Sequence, residues 1–262
     1  MSLERPYVDF ADGQSVAISV VRSLSVVAGG FLVLIVLQTL VLSLTGIEST
    51  ETLRGMPVVW ALVSGLPGAS FVVAALAYMR VREERSLFAV GAPTPRDGLW
   101  IVAGFVALAV LNQVMSVVLA VLSSLLDSLF DITVTVGQNS VVELVQANPE
   151  VAFYLLPVTV LFVAPGEELL FRGVVQGLLR RSLGVVPGIV GAALIFGGIH
   201  VVSISSGDAW TYVLVATALG LVLGALYEYT ENLLVPIAVH ALWNCSLFLY
   251  IYLQVTGGAP SV

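Results

Sequence analysis

Long apolar stretches separated by short polar segments make up most of this chain. Each stretch is near the roughly 20 residues that an α-helix needs to cross about 30 Å of hydrocarbon at 1.5 Å per residue. The pattern therefore predicts an all-α protein, a polytopic bundle of transmembrane helices. The stretches cover residues 17–44, 57–78, 99–126, 151–179, 185–204, 209–227 and 233–255.

The fourth stretch is too long for one straight span, and Pro165-Gly166 interrupts it. Proline is a common cause of a kink or a break in a helix. The stretch is therefore either one bent helix or a half-helix followed by a second short one, and the count of spans is seven or eight. Because Glu167 and Glu168 follow the interruption, we expect them in the first turn of a helix, where free backbone N–H groups favour negative charge.

Composition supports a membrane protein and excludes one class of partner. The chain is 58% hydrophobic and only 10% charged, its net charge is −7, and it contains no lysine. Nucleic-acid binding is excluded because no basic stripe is present to neutralise phosphates. The single cysteine, Cys245, excludes an internal disulfide and a cysteine-based metal cluster.

Arginines predict the orientation in the cell membrane. They concentrate in the loop between the second and third spans and directly after the fourth, and cytoplasmic loops carry an excess of such residues. We therefore expect a multi-pass protein with a cytoplasmic N-terminus and an outer acidic loop at 127–150. Residues 1–150 would form an N-terminal region of three spans and residues 151–255 the functional core of the same membrane domain. The loop arginines are Arg80, Arg82, Arg85, Arg96, Arg180 and Arg181.

A few ionisable residues lie inside the apolar stretches, where they are costly and are usually kept for a function. They include the only two histidines, His200 and His240, together with Glu167 in the fourth stretch. Helical rise places all three within the hydrocarbon layer, roughly 10–22 Å above the cytoplasmic boundary. We therefore predict that they meet in one cavity.

Local spacing adds four residues to this predicted site. Glu168 and Arg172 are four apart and can pair on one helix face, which leaves Glu167 to face elsewhere. His240 and Asn244 are also four apart and share a face. Phe196 lies one turn before His200 and is placed to wall the cavity.

Glutamate and histidine can build a hydrolytic site in two ways. They act as general base and general acid on a water molecule, or they hold a Zn²⁺ ion that lowers the pKa of a bound water. Asn244 can donate a hydrogen bond to a developing oxyanion, and so can Arg172. The residues alone leave both versions open.

Three motifs carry a family resemblance: E-E-L-L-F-R from Glu167, F-G-G-I-H ending at His200, and H-A-L-W-N from His240. In order and spacing they resemble those of the CAAX protease and bacteriocin-processing family of intramembrane endopeptidases. The resemblance covers residues 151–250. It implies a peptide or protein substrate, lipid-modified in eukaryotic members, although nothing in this sequence indicates a prenylated substrate.

The resemblance also implies a role for each residue. Glu167 would be the base that activates water, and His200 its partner or a metal ligand. His240 and Asn244 would bind the transition state, or, in a zinc enzyme, His240 would be a ligand beside Glu167 and His200. Glu168, Arg172 and Phe196 would support them.

Two other classes of protein remain possible on this sequence. Ion- or proton-coupled transporters also place Glu, His and Arg at mid-membrane depth near broken helices, although no inverted repeat is evident here. A non-catalytic relative would act as a bacteriocin self-immunity factor or chaperone. Replacing Glu167 by Gln separates the non-catalytic relative from an enzyme, because an immunity scaffold should tolerate the change, whereas a protease should lose turnover.

Overall fold

A computed structural model describes residues 8–47, 52–53, 55–84 and 87–258. The described chain is almost entirely helical, and it has seven helices long and apolar enough to cross a membrane. This confirms the predicted all-α bundle and gives seven spans rather than eight. The helices are α1 (Gly13–Thr45), α2 (Pro57–Val63), α3 (Leu66–Arg82), α4 (Pro95–Phe130), α5 (Ser140–Ala147), α6 (Pro149–Leu183), α7 (Val185–Ile199), α8 (Ala209–Thr230) and α9 (Leu234–Val255). Helices α2 and α3 together form one span.

Two of the long helices begin at sequence-encoded caps. The Asp12 side chain accepts hydrogen bonds from the first backbone N–H groups of α1, and bonds from Ser15 lower the pKa of Asp12. At the start of α4, Thr94 and Asp97 form a reciprocal capping box with Pro95 at the first helical position. Such caps satisfy N–H groups that have no partner inside the helix, so they fix where each span begins.

Helix α6 continues through Pro165 without a break. One α-helical turn, Ala164–Glu168, lies between two π-helical segments, Thr159–Val163 and Leu169–Gln176. Widened π turns are common at functional sites and accommodate irregular hydrogen bonding such as the missing N–H of a proline. The expectation that Glu167 and Glu168 begin a helix is therefore wrong, because they lie in the middle of one.

The bundle packs around α6. A chain of edge-on aromatic contacts runs from α1 through α3 and α6 to α7, with ring centroids 5.8, 5.9 and 5.2 Å apart. Gly166 lets α6 cross α3 at very close range, since a Cβ there would lie 2.1 Å from the Gly68 carbonyl oxygen. The sequence Pro165-Gly166, which suggested a helix break, therefore lies in an unbroken helix, and its glycine permits a close helix crossing. The aromatic residues are Phe31, Phe71, Phe171 and Phe196.

A small polar layer joins the α4–α6 connection to the loop after α7. Strand β1 (Gln138–Asn139) pairs antiparallel with β2 (Ile204–Ser206). Asp208 accepts hydrogen bonds from the backbone and side chain of Thr135 at 2.7 and 3.0 Å. These strands are too short to be recognised from sequence, and they fix the loop beside the end of α7, where one of the two histidines lies.

Candidate active site

The adjacent glutamates of α6 have different environments. Glu168 is fully buried, and its Oε2 lies 3.2 Å from Nε of Arg172, which is 1% exposed. Glu167 lies about 100° further round the helix and lines a cavity. The ion pair and the divergence of the two carboxylates are as the four-residue spacing predicts.

Contacts from two neighbouring helices hold the Arg172 guanidinium. Its Nη2 donates to the carbonyl oxygen of Gly220 on α8 at 3.1 Å, and its Cζ lies 4.5 Å from the centre of the Phe196 ring on α7. An aromatic face attracts a cation electrostatically, more strongly where water is excluded. Arg172 therefore fixes Glu168 and also joins three helices beneath the cavity.

His240 lies between the two carboxylates. Its Nδ1 is 2.8 Å from Glu168 Oε1, and because an ionised carboxylate only accepts, Nδ1 carries the proton of this bond. Nε2 is directed to the other side, 3.9 Å from Glu167 Oε2. That distance is too long for a direct hydrogen bond. Glu167 Oε2 is buried and has no hydrogen-bond partner among the described residues, so a water or substrate atom in contact with both groups would satisfy it.

His200 is also held by a defined hydrogen bond. It opens the 3₁₀ turn His200–Ser203 at the end of α7, and its Nδ1 donates to the carbonyl oxygen of Phe196 at 2.7 Å. Its Nε2 is thereby left with a free lone pair, because a neutral imidazole carries one N–H. The ring of Tyr212 also lies near the imidazole, with ring centroids 5.9 Å apart.

One cavity of about 610 Å³ brings the predicted residues together. Its lining includes Glu167, His200, His240, Asn244 and Phe196 from α6, α7 and α9. Its other walls are mostly apolar side chains, including several from the three N-terminal spans. Glu168 and Arg172 do not line it but lie behind His240, consistent with support rather than contact with a substrate.

Sequence reasoning missed a polar seam between α6 and α8. Gln176 is fully buried, and its Nε2 donates to the Gly224 carbonyl at 3.1 Å and to Glu228 at 2.9 Å. Arg180 completes the seam with an ion pair to Glu228 at 2.7 Å. The available signal was a row of polar residues four apart within an apolar helix, namely Glu168, Arg172, Gln176 and Arg180.

Imidazole and carboxylate are suitable zinc ligands. Within the part of the chain that the structure describes, however, no group of three or more His, Cys, Asp or Glu side chains is arranged to hold a metal ion. The conformation present therefore does not fit a three-ligand zinc site, and the chemistry that follows is derived from the protein's own residues.

The fold and cavity together define a class: a multi-pass membrane protein in which carboxylate and histidine side chains line one internal cavity. Residues 149–246, a little over a third of the chain, match the model of the family described as "Type II CAAX prenyl endopeptidase Rce1-like". Residues 149–246 of this chain are therefore similar to a CAAX prenyl endopeptidase-like domain.

A curated relative is similar over a shorter segment. The chain is 38% identical over 80 residues to "Uncharacterized protein YpbD" of Bacillus subtilis (strain 168). The match covers 30% of this chain and 36% of the relative, so it spans about a third of that protein's length. No solved structure matches the chain.

Proposed function

We propose that this protein is an intramembrane endopeptidase that hydrolyses peptide bonds in the cavity between α6, α7 and α9. The observation that carries the proposal is the convergence of Glu167, His200, His240 and Asn244 on one cavity, with Glu168 buried behind His240. A carboxylate, two fixed imidazoles and an amide provide a base, a proton carrier and oxyanion donors.

The first step is activation of water by Glu167. A water molecule within reach of Glu167 Oε2 and His240 Nε2, which are 3.9 Å apart, gives its proton to the carboxylate as its oxygen attacks the peptide carbonyl carbon. The free lone pair of His200 Nε2 orients this water or takes up the proton. On collapse of the tetrahedral intermediate, the protonated group returns the proton to the leaving amine, as general acid–base catalysis requires.

The developing oxyanion needs donors that are in place before the reaction. Asn244 offers its amide N–H from the same face of α9 as His240. In its imidazolium form, His240 donates from Nε2, and the charge of Glu168 at Nδ1 offsets the imidazolium charge, because Glu167 is neutral once it has accepted the proton of the water. Donors held in a cavity that excludes bulk water stabilise an oxyanion far more than the same groups do in water.

The mostly apolar cavity walls suit an apolar peptide or protein segment, with or without a lipid modification. Such a substrate enters from the bilayer without losing the burial of its side chains.

The orientation in the membrane is also a proposal. We propose that the N-terminus faces the cytoplasm, since Arg80, Arg82, Arg180 and Arg181 all lie at helix ends on that side. Arg85, which the sequence places in the same loop as Arg80 and Arg82, lies outside the described residues.

Glu167→Gln tests the assignment. We expect turnover to fall by roughly 10²- to 10⁴-fold, because an amide cannot accept the proton, while the thermal unfolding temperature stays within a few degrees of the wild type. Purified protein in liposomes is incubated with a library of apolar peptides, and products are identified by mass spectrometry. Glu150→Gln, an exposed glutamate at the start of α6, is the matched control and should keep full activity.

Unchanged cleavage by Glu167→Gln would contradict the proposal. If the wild type cleaves no peptide, and either a transport assay depends on Glu167 or a bacteriocin-resistance assay tolerates Glu167→Gln, the protein belongs to one of the non-proteolytic classes. Metal analysis of wild type beside His200→Ala and His240→Ala decides between the two hydrolytic versions: about one zinc per chain that both variants lose indicates a zinc enzyme.

A further inference from the structure

Helix α4 contributes an amide to the cavity from outside the family-matched residues. Asn112 lies in the middle of this 36-residue helix and lines the cavity together with Phe105, Leu108 and Ala109. The spacings of three, four and seven residues place all of them on one helix face. The adjacent amide, Gln113, lies about 100° further round and is exposed on the outer surface of the bundle.

No hydrogen bond of the Asn112 side chain is found within the described part of the chain, and the residue is half-buried near the middle of the helix. A polar amide held in apolar surroundings without a partner costs free energy. Helix packing does not explain it, because interhelical amides stabilise a bundle by bonding to another helix. A water molecule or a substrate that enters the cavity would satisfy this amide.

A cleavable peptide brings the groups that Asn112 lacks. A scissile bond is accessible only where the substrate is locally extended, and an extended segment exposes backbone N–H and C=O groups that have no partner in an apolar environment. An asparagine amide has both a donor and an acceptor, so it can pair with a peptide unit in both directions.

The separation between Asn112 and the proposed catalytic residue Asn244 can be estimated from positions along α4. Phe105 contacts Trp243, the neighbour of Asn244, with ring centroids 6.4 Å apart. Asn112 lies seven residues further along α4, which is about 10 Å. An extended peptide covers that distance in about three residues.

We propose that Asn112 is a substrate-binding residue that hydrogen-bonds the peptide backbone about three residues from the scissile bond. The inference rests on the proposed function, and it assigns a role in substrate recognition to the N-terminal spans.

Peptide binding tests this inference separately from turnover. A fluorescent apolar peptide is titrated into liposome-reconstituted Glu167→Gln protein that also carries Asn112→Leu or the control Gln113→Leu. We expect Asn112→Leu to weaken binding roughly five- to tenfold, as loss of one hydrogen bond predicts, and Gln113→Leu to leave it unchanged. Equal affinity in the two variants would overturn the proposal.

A second measurement identifies the contacted peptide unit. Peptides with a single ester in place of one amide are titrated into the Glu167→Gln protein with and without Asn112→Leu, which forms a double-mutant cycle. We expect non-additivity at one position, about three residues from the cleavage site, and additivity elsewhere. Uniform additivity would overturn the proposal even if Asn112→Leu weakens binding. If no peptide is cleaved by the wild type, the proposed function fails, whereas the binding cycle still reports on Asn112.

Discussion

Glu167 and Glu168 are neighbours in sequence, but their surroundings give them different capacities. Glu168 is fully buried and does not line the cavity; its Oε1 is bonded to His240 and its Oε2 is ion-paired with Arg172. Glu167 faces the cavity, and its Oε2 has no hydrogen-bond partner in the described residues. At the residue scale, these contacts support the proposed division between a reacting Glu167 and a supporting Glu168.

If Glu168 supports His240, loss of its charge should lower mainly turnover, whereas loss of its partner Arg172 should lower stability. In Glu168→Gln, the charged acceptor of His240 is lost, and we expect turnover to fall by roughly 10²-fold or more, as for other oriented imidazoles. Arg172→Met leaves Glu168 buried without its counter-charge and should destabilise the protein by about 3–5 kcal/mol. Turnover assays and thermal unfolding in detergent measure the two effects.

The double variant Glu168→Gln/Arg172→Met is the control. Because it removes both charges together, it should recover most of the stability lost in Arg172→Met, while its turnover stays low. Full recovery of turnover would show that the pair does not orient His240.

At the element scale, the close packing of α7 against α8 at Gly197 positions the end of α7 that leads into His200. A Cβ at Gly197 would lie 2.0 Å from Oγ1 of Thr217 on α8, whereas a Cβ at Gly198 would meet nothing within 4 Å. Helix α7 thus lies directly against α8 at the turn that carries Phe196 and leads into His200. Any sideways movement of α7 here would move both rings.

This contact predicts opposite outcomes for two adjacent substitutions. Gly197→Ala should force α7 away from α8, lower the unfolding temperature and reduce turnover at least tenfold, since the α8 backbone is also an obstacle there. Gly198→Ala should be neutral or slightly stabilising, because alanine favours a helix and has space. Similar behaviour of the two variants in unfolding and peptide cleavage would contradict the close packing.

At the scale of the whole molecule, the three N-terminal spans complete the cavity that the family-matched region begins. Phe31 of α1, Phe71 of α3 and Phe105 of α4 all line it. The residues proposed to bear the chemistry lie at 149–246, yet the lining of the cavity also includes side chains from the N-terminal spans. On the proposed function, selectivity among substrates would depend on both regions.

The proposed orientation of the molecule can be tested with single cysteines in a Cys245→Ser background. Ala92, in the loop before α4, and Ser205, in strand β2, are exposed and lie at opposite ends of the bundle. We expect a membrane-impermeant maleimide to label Ser205→Cys in intact cells, and to label Ala92→Cys only after permeabilisation, because the arginine-rich loops face the cytoplasm. The reverse pattern would invert the proposed topology.

The sequence by itself determined the features that depend on one helix at a time. Apolar runs of spanning length predicted the membrane helices, and four-residue spacing predicted the Glu168–Arg172 pair and the shared face of His240 and Asn244. These follow from the fixed rise and rotation of an α-helix, which hold wherever the helix is placed.

Only the tertiary structure decided the contacts between helices. The 2.8 Å bond from His240 to Glu168 joins residues 72 apart in sequence, and Gln176 reaches a glycine carbonyl on another helix. The continuity of α6 through Pro165 likewise depends on its crossing with α3. Helix tilt, rotation and depth are set by packing against neighbouring helices, so the residue spacing within one helix cannot predict them.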